Sequence, residues 1–405
     1  MYAGAVAVPL IVGAALVDAG QLARGDIPYL VSADLLVAGL ASILQSVGVW
    51  RFGVRLPLMQ GCTFAAVTPM IAIGSRYGIT AIYGSVIACG LFMMLLAPFF
   101  ARLVRFFPPL VTGTVILVIG LSLLPVAAGW AAGGVGSARF GAPVNLGLAA
   151  LTLAIVVLVE RFGPPALARI GVLVAMVLGT LVAIPLGLTD FSAVAQPPWL
   201  GIGTPLHFGV PTFVPGAIVA MLIVALVIMT ETTGDILAIG EIVERPVTPR
   251  ALADGLRADG LSTVLGGLFN TFPYTAFAQN VGLVSLTGVR SRWVATAAGV
   301  MLVILGALPK LGAAVECLPK PVLGGAGIAL FGMVAASGVR TLAKLSLSQR
   351  DVLVVATSVG IGLLPTMQPH LYRQFPGWFQ TIFDSGISAG ALSAIALNLL
   401  FRRKP

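Results

Sequence analysis

One apolar segment, Asn270–Thr287, cannot form a single uninterrupted helix, and that limits what the whole chain can become. It is hydrophobic enough to sit at membrane depth, yet it carries Pro273, Gly282 and the adjacent amides of Gln279 and Asn280. Proline lacks a backbone donor, and the residue before it is pushed out of the helical region. The expectation is an extended lead-in through Pro273, then a short helix opening near Gln279. A helix that starts inside a membrane leaves several backbone N–H groups unpaired, with partial positive charge at that end. Such a break survives in lipid only where protein or a polar cavity surrounds it.

The stretch Leu56–Arg76 repeats the design. Pro57 precedes Ser75 and Arg76 by the interval that separates Pro273 from Ser291 and Arg292. In that register Thr63 corresponds to Gln279 and Phe64 to Asn280. Discontinuous segments at corresponding positions of two halves point to the binding site of a transporter. Gly4–Val12 similarly echoes Gly216–Val224, which sets the first span opposite the eighth.

The rest of the chain agrees. It is 58% hydrophobic and 9% charged over 405 residues, with a mean hydropathy of +1.05. No soluble domain carries so few charges, so the chain reads as an all-α polytopic membrane protein. A span takes about 20 apolar residues, which leaves room for about fourteen with short loops. The expected spans of the first half are Tyr2–Val17, Tyr29–Trp50, a broken third at Pro57–Ile73, Ile79–Phe99, Leu110–Ala128, Val144–Val159 and Pro164–Leu186. Those of the second are Val214–Ile228 running into Thr230–Ile239, Ala251–Leu268, the broken tenth, Trp293–Leu308, Val322–Ala336, Val352–Leu364 and Ile387–Phe401. Seven plus seven makes two inverted repeats, because an odd number of spans flips the second half. The first span is short, so the chain is expected to begin inside its own first helix, and no separate cleavable signal is expected.

Basic residues orient this arrangement. With the N-terminus inside, seventeen of the 23 lysines and arginines fall in cytoplasmic loops and the tail. The other six (Arg24, Arg76, Arg139, Lys310, Lys320 and Arg373) fall outside. That bias favours cytoplasmic N- and C-termini. The net charge of +9 is scattered over loops, so no nucleic-acid partner is expected, whereas membrane lipid is. Cys62, Cys89 and Cys317 sit in apolar context and imply no disulfide framework. The two histidines, His207 and His370, fall in loops, so neither a metal site nor a cofactor is expected.

Most acidic residues lie at loop edges, where they are solvated. Glu231, Asp235 and Asp259 differ. Glu231 follows a long uncharged run, and Asp235 is four residues on, hence on the same helical face. Ionisable groups at membrane depth are costly and by default mark a substrate or ion path. Two carboxylates one turn apart can hold and release a proton, which a proton-coupled carrier needs. The plain alternative is a helix-end pair facing the cytoplasm, with Glu241 and Glu244 close behind. Asp259 could cap its helix, pair with Arg257, or reach the site and hydrogen-bond a broken segment. Gln279 offers one acceptor and two donors, enough to bind an edge of a heterocycle. It could instead satisfy backbone freed by the break, a role that suits Asn280 better. Phe64 could stack on a planar ligand or simply pack.

At these residues the chain resembles the nucleobase–ascorbate transporter family, also called nucleobase–cation symporter family 2, and within it the xanthine and uric acid permeases. Gln279, Asn280, Gly282 and Thr287 match that family's signature in its tenth span. Glu231–Asp235 resembles its eighth-span motif and Ala258–Gly260 its ninth. The resemblance implies a core domain of spans one to four and eight to eleven, and a gate domain of spans five to seven and twelve to fourteen. On this chain residues 1–128 hold spans one to five, 129–186 spans six and seven, and 187–213 an extracellular connection. Residues 214–308 hold spans eight to eleven, and 309–405 the last three spans with a basic cytoplasmic tail. It further implies purine binding by Glu231, Gln279, Asn280 and Ala278, closed by Phe64 and Ala65. Proton coupling falls to Glu231, with Asp235 and Asp259 functionally sensitive. A glutamine at 279 resembles the purine branch more than the uracil branch. The family's Gln-His pair, normally just upstream of Met1–Ala5, is absent, which adds to the expectation of a chain that starts late.

The resulting expectation is a non-enzymatic, proton-coupled carrier of xanthine, uric acid or both in a bacterial cytoplasmic membrane, with sodium as the alternative coupling ion. It is expected to be homodimeric and to move substrate by an elevator-like shift of core against gate. A uracil permease, or an anion transporter of the related sulfate-permease architecture, are the rivals.

Overall fold

The computed structural model describes residues 2–103, 108–168, 170–189, 191, 194, 198–277, 280–281, 283–284, 288–368 and 370–401. The first half comprises α1 (Tyr2–Asp18), α2 (Ile27–Val47), β1 (Gln60–Cys62), α3 (Val67–Tyr77), α4 (Ile79–Leu103), α5 (Pro109–Ala131), α6 (Pro143–Phe162), α7 (Pro165–Ala168) and α8 (Gly171–Ala183). The second comprises α9 (Pro215–Ile242), α10 (Pro249–Leu268), β2 (Tyr274–Ala276), α11 (Arg292–Gly306), α12 (Pro309–Glu316), α13 (Lys320–Ala343), α14 (Gln349–Met367), α15 (Gly377–Phe383) and α16 (Gly386–Phe401).

Proline starts many of these helices. It occupies the first turn of α2, α5, α6, α9, α10 and α13, where its missing N–H would have been unpaired anyway. By length and composition α2, α4, α5, α6, α9, α13 and α14 can each cross a membrane, and α1, α8, α11 and α16 are shorter apolar helices. With α10 and the two interrupted segments they make up the fourteen expected spans, in the expected order.

The interrupted segments meet. β1 and β2 pair antiparallel, with Gln60 opposite Ala276, Gly61 opposite Thr275 and Cys62 opposite Tyr274. The pairing gives each break the backbone partners that lipid cannot supply. It agrees with the expectation of an extended stretch running through Pro273, and the paired strand itself covers Tyr274–Ala276. Relative to the expected register, β2 stands two residues earlier than β1 does in its own half. The described helical residues begin again at Asn280, whereas Ala278, Gln279, Gly282 and Thr287 lie outside the described residues.

Around the strand pair α11 packs on α2 and α10 on α4. Both crossings are made glycine to glycine. A Cβ on Gly39 would come within 2.5 Å of the Gly299 carbonyl oxygen, and one on Gly260 within 2.7 Å of that of Gly90. Small residues at such crossings let helix backbones approach, as membrane packing requires. Gly260→Val should therefore cost about 1–3 kcal/mol, read as a lower unfolding temperature of the detergent-solubilised protein. An unchanged unfolding temperature would mean that the crossing is loose. A second group of helices packs together, with α5 and α6 against α13, α6 against α8, and α14 against α16.

The connection between the halves is fastened to the first group. The Tyr29 hydroxyl donates to the Thr204 carbonyl at 2.6 Å, and the His207 N–H donates to Asn270 Oδ1 at 2.6 Å. The His207 ring stacks on Tyr29 at 4.0 Å.

Candidate functional site

The site is built where the two interrupted segments turn into helices. Thr63 closes the first turn: its Oγ1 accepts the Ala65 N–H at 3.1 Å, and its own N–H donates to the Pro273 carbonyl at 2.9 Å. A 3-10 turn, Phe64–Ala66, follows and leads into α3. The Phe64 ring is half-buried and meets Phe331 of α13 edge-on at 5.8 Å, so it stands where the two helix groups face each other. Ala65 is buried with its N–H already engaged by Thr63.

Asn280 reaches across the crossing. Its Oδ1 accepts the Met59 N–H at 2.9 Å, while the Phe277 N–H donates to the Met59 carbonyl at 3.0 Å. This is the backbone-satisfying role that its amide suits, and it ties the second break to the first. Asn280→Ala should leave the Met59 N–H buried without an acceptor and cost about 1–3 kcal/mol. A thermal-unfolding comparison with wild type measures this, and an unchanged midpoint would show that the bond carries nothing.

The carboxylates come from α9 and α10. Glu231 is partly buried and lines a crevice between α9 and α5, with Val227, Thr230, Thr112, Val115 and Ile116. Asp235 lies one turn further along and is buried, and its Oδ2 has no hydrogen-bond partner among the described residues. Neither is a solvated helix-end residue.

Asp259 is fully buried and does reach a broken segment. It accepts hydrogen bonds from Gln45 Nε2 at 2.9 Å, from Thr232 Oγ1 at 2.5 Å, and from Gln60 Nε2. Gln60 belongs to β1, Gln45 to α2 and Thr232 to α9, the residue after Glu231. The alternative pairing of Asp259 with Arg257 is not formed: Arg257 binds Asp254 at 2.5 Å, one helical turn away. Residues 257 and 259 point to nearly opposite sides of a helix, whereas 254 and 257 share one. The other ion pair among the described residues joins Arg290 to Glu244. Glu231, Asp235 and Asp259 thus have no cationic partner among the described residues.

Sequence reasoning missed Gln45, Gln60 and Thr232. Gln45 spends its amide fully, donating to the Gly255 carbonyl and Asp259 and accepting the Val54 N–H. Thr232 Oγ1 also accepts the Ala276 N–H of β2 at 3.2 Å. A glutamine inside an apolar run was the available signal, since a buried amide must find partners. Gln45 and Asp259 are 214 residues apart, the interval that separates the first residues of β1 and β2. They bring α2 of the first half and α10 of the second together beside the strand pair.

Two interrupted segments paired as strands, inside a bundle of inverted repeats and beside carboxylates with no cationic partner among the described residues, have the form of a membrane carrier's site. Residues 1–371 match the Permease family (Xan_ur_permease), and the chain belongs to that family. It is 44% identical over 405 residues to the xanthine permease of Bacillus subtilis (strain 168), covering 99% of this chain and 91% of that one. It is 46% identical to the uric acid permease PucK of the same organism, covering 100% and 93%. It is 43% identical to the uric acid transporter UacT of Escherichia coli (strain K12), covering 99% and 83%. Among solved structures the transmembrane domain of the cyanobacterial bicarbonate transporter BicA has the same fold, with a TM-score of 0.61 at 16% identity over 96% of this chain and 97% of that one. SLC26A9 shares it too, with a TM-score of 0.62 at 15% identity over 98% of this chain and 64% of that one.

Proposed function

We propose that the protein is a secondary active carrier that takes up the purine bases xanthine or uric acid together with protons. Substrate binds between the two helix starts, with Glu231, Gln279, Asn280 and Ala278 supplying contacts and Phe64 and Ala65 closing the site. The observation that carries this reading is Glu231, a carboxylate without a cationic partner among the described residues, opening onto the crevice between α9 and α5. A group so placed can bind an N–H edge of a purine and exchange a proton in the same step. Asp235 and Asp259 are the further members of the coupling path. The relatives named above, a xanthine permease and two uric acid carriers, support the substrate class.

The two helix groups support division into a core of α1–α4 and α9–α11 and a gate containing α5, α6, α8, α13, α14 and α16. Transport is then an elevator-like shift of core against gate, in a homodimer with both termini in the cytoplasm of a bacterium. The anion-carrier rival is disfavoured because the xanthine and uric acid carriers are 43–46% identical to this chain, whereas the bicarbonate transporter, at 16%, shares the fold alone.

Uptake of radiolabelled xanthine and urate into cells lacking their own purine permeases, with and without a protonophore, tests the reading. Saturable uptake abolished by the protonophore is expected, with uracil and sulfate failing to compete. Uptake unaffected by the protonophore but dependent on external sodium would replace the coupling ion. No uptake of either purine by membrane-inserted protein would overturn the substrate class.

A further inference from the structure

Asp34, in the middle of α2, has no part in the path described above. It is fully buried. Its Oδ1 accepts from the Tyr274 hydroxyl at 2.5 Å, the Cys62 thiol at 2.6 Å and the Thr271 hydroxyl at 2.8 Å. The Tyr274 hydroxyl also lies 3.2 Å from the Asp34 carbonyl oxygen. These donors come from both interrupted segments, and Cys62 and Tyr274 are partners across the strand pair. Among the described residues neither ion pair involves Asp34, and its Oδ2 has no hydrogen-bond partner.

A lone carboxyl group is expensive to bury in a helix that spans a membrane. What it supplies here is one acceptor strong enough to gather three donors from two chain segments. The opposite end of the ladder, where Gln60 faces Ala276, is tied by Gln60 to Asp259. Each end of the strand pair is therefore anchored to its own carboxylate, Asp259 on α10 and Asp34 on α2. Cys62 stands two residues before Phe64, and Tyr274 six before Asn280, so a shift at this end displaces both helix starts.

We propose that Asp34 is a positioning residue for the substrate site. It holds the Cys62–Tyr274 end of the crossing against α2 and thereby fixes where Phe64 and Asn280 stand. Asp34 acts as a hydrogen-bond acceptor and does not exchange protons during transport. The proposal rests on the purine-carrier reading for its transport consequences, and on geometry alone for the clamp.

The two are separable by experiment. In a chain carrying Cys89→Ala and Cys317→Ala, Cys62 is the remaining thiol. With Asp34 intact, a membrane-permeant maleimide should scarcely label it. Asp34→Ala should speed labelling about tenfold as the crossing opens locally, and Asp34→Asn, which keeps the acceptor, should stay near the intact rate. In xanthine uptake, Asp34→Ala should raise KM about tenfold, because a loosened site loses preorganisation, with a smaller change in kcat. Asp34→Asn should restore KM and leave the pH profile of uptake as in wild type. If Asp34→Ala protein does not reach the membrane, Tyr274→Phe removes one donor and should shift labelling and KM in the same directions by less.

Labelling that Asp34→Ala or Tyr274→Phe leaves unchanged would overturn the clamp. An Asn variant with an altered pH profile would overturn the acceptor role in favour of a proton carrier. If wild-type protein moves no purine, the labelling comparison still decides the clamp, and only the substrate reading falls.

Discussion

Glu231→Gln is expected to insert and fold but to lose net, gradient-driven accumulation of xanthine. Glutamine keeps the shape and one acceptor, so the crevice between α9 and α5 survives. On the proposed reading, what disappears is the charge-assisted hydrogen bond to the base and the group that carries the proton. A hydrogen bond to a charged partner contributes about 1.5–3 kcal/mol, so affinity should fall roughly ten- to a hundredfold. Counterflow, in which labelled xanthine exchanges for unlabelled without net proton movement, should persist at saturating substrate. Measuring both modes in the same cells separates binding from coupling. A variant that still accumulates xanthine in a protonophore-sensitive way would remove Glu231 from the coupling path.

The second large effect is at Asp259. Asp259→Ala strips the acceptor from Gln45, Gln60 and Thr232 together, all of them buried. Leaving buried donors unpaired costs about 1–3 kcal/mol each, and the three are coupled through one site, so the total should be on the order of 3 kcal/mol. The expected result is a clearly lower unfolding temperature and little protein in the membrane. Asp259→Asn keeps one acceptor oxygen, and its amide can face the Thr232 hydroxyl, so it should lose less than half as much stability. Equal unfolding temperatures for the Ala and wild-type proteins would show that the network does not hold β1 in place. A stable Asn variant that no longer transports would separate a functional need for the carboxylate from its structural use.

Much of this was legible because the relevant signals are local. Pro57 and Pro273 announce the breaks, since a missing backbone donor acts on its own turn of chain. Glu231 and Asp235 stand out because no charge surrounds them and because four residues is one helical turn. Asp34 carries the same signal, a charge inside an apolar run, yet it is not among the residues singled out from the sequence. Gln45, Gln60 and Thr232 carry no charge, and nothing in their neighbours marks them as partners of Asp259. The pairing of Arg257 with Asp254 rather than Asp259 follows from helical geometry alone.

The amino-acid sequence by itself determined that the chain lives in a membrane, how its spans are ordered, that its halves repeat, and where two spans must break. Hydrophobicity and proline's missing donor act over a few residues, so they are readable without a fold. Only the tertiary structure decided how the breaks are satisfied: β1 with β2, Asn280 with Met59, and Asp259 with Gln60. The Gln60–Asp259 bond joins residues 199 apart and the Tyr274–Asp34 bond residues 240 apart. Partners so distant are chosen by which helices can approach closely, and that depends on crossings such as Gly90 on Gly260, where two backbones touch because neither residue has a side chain.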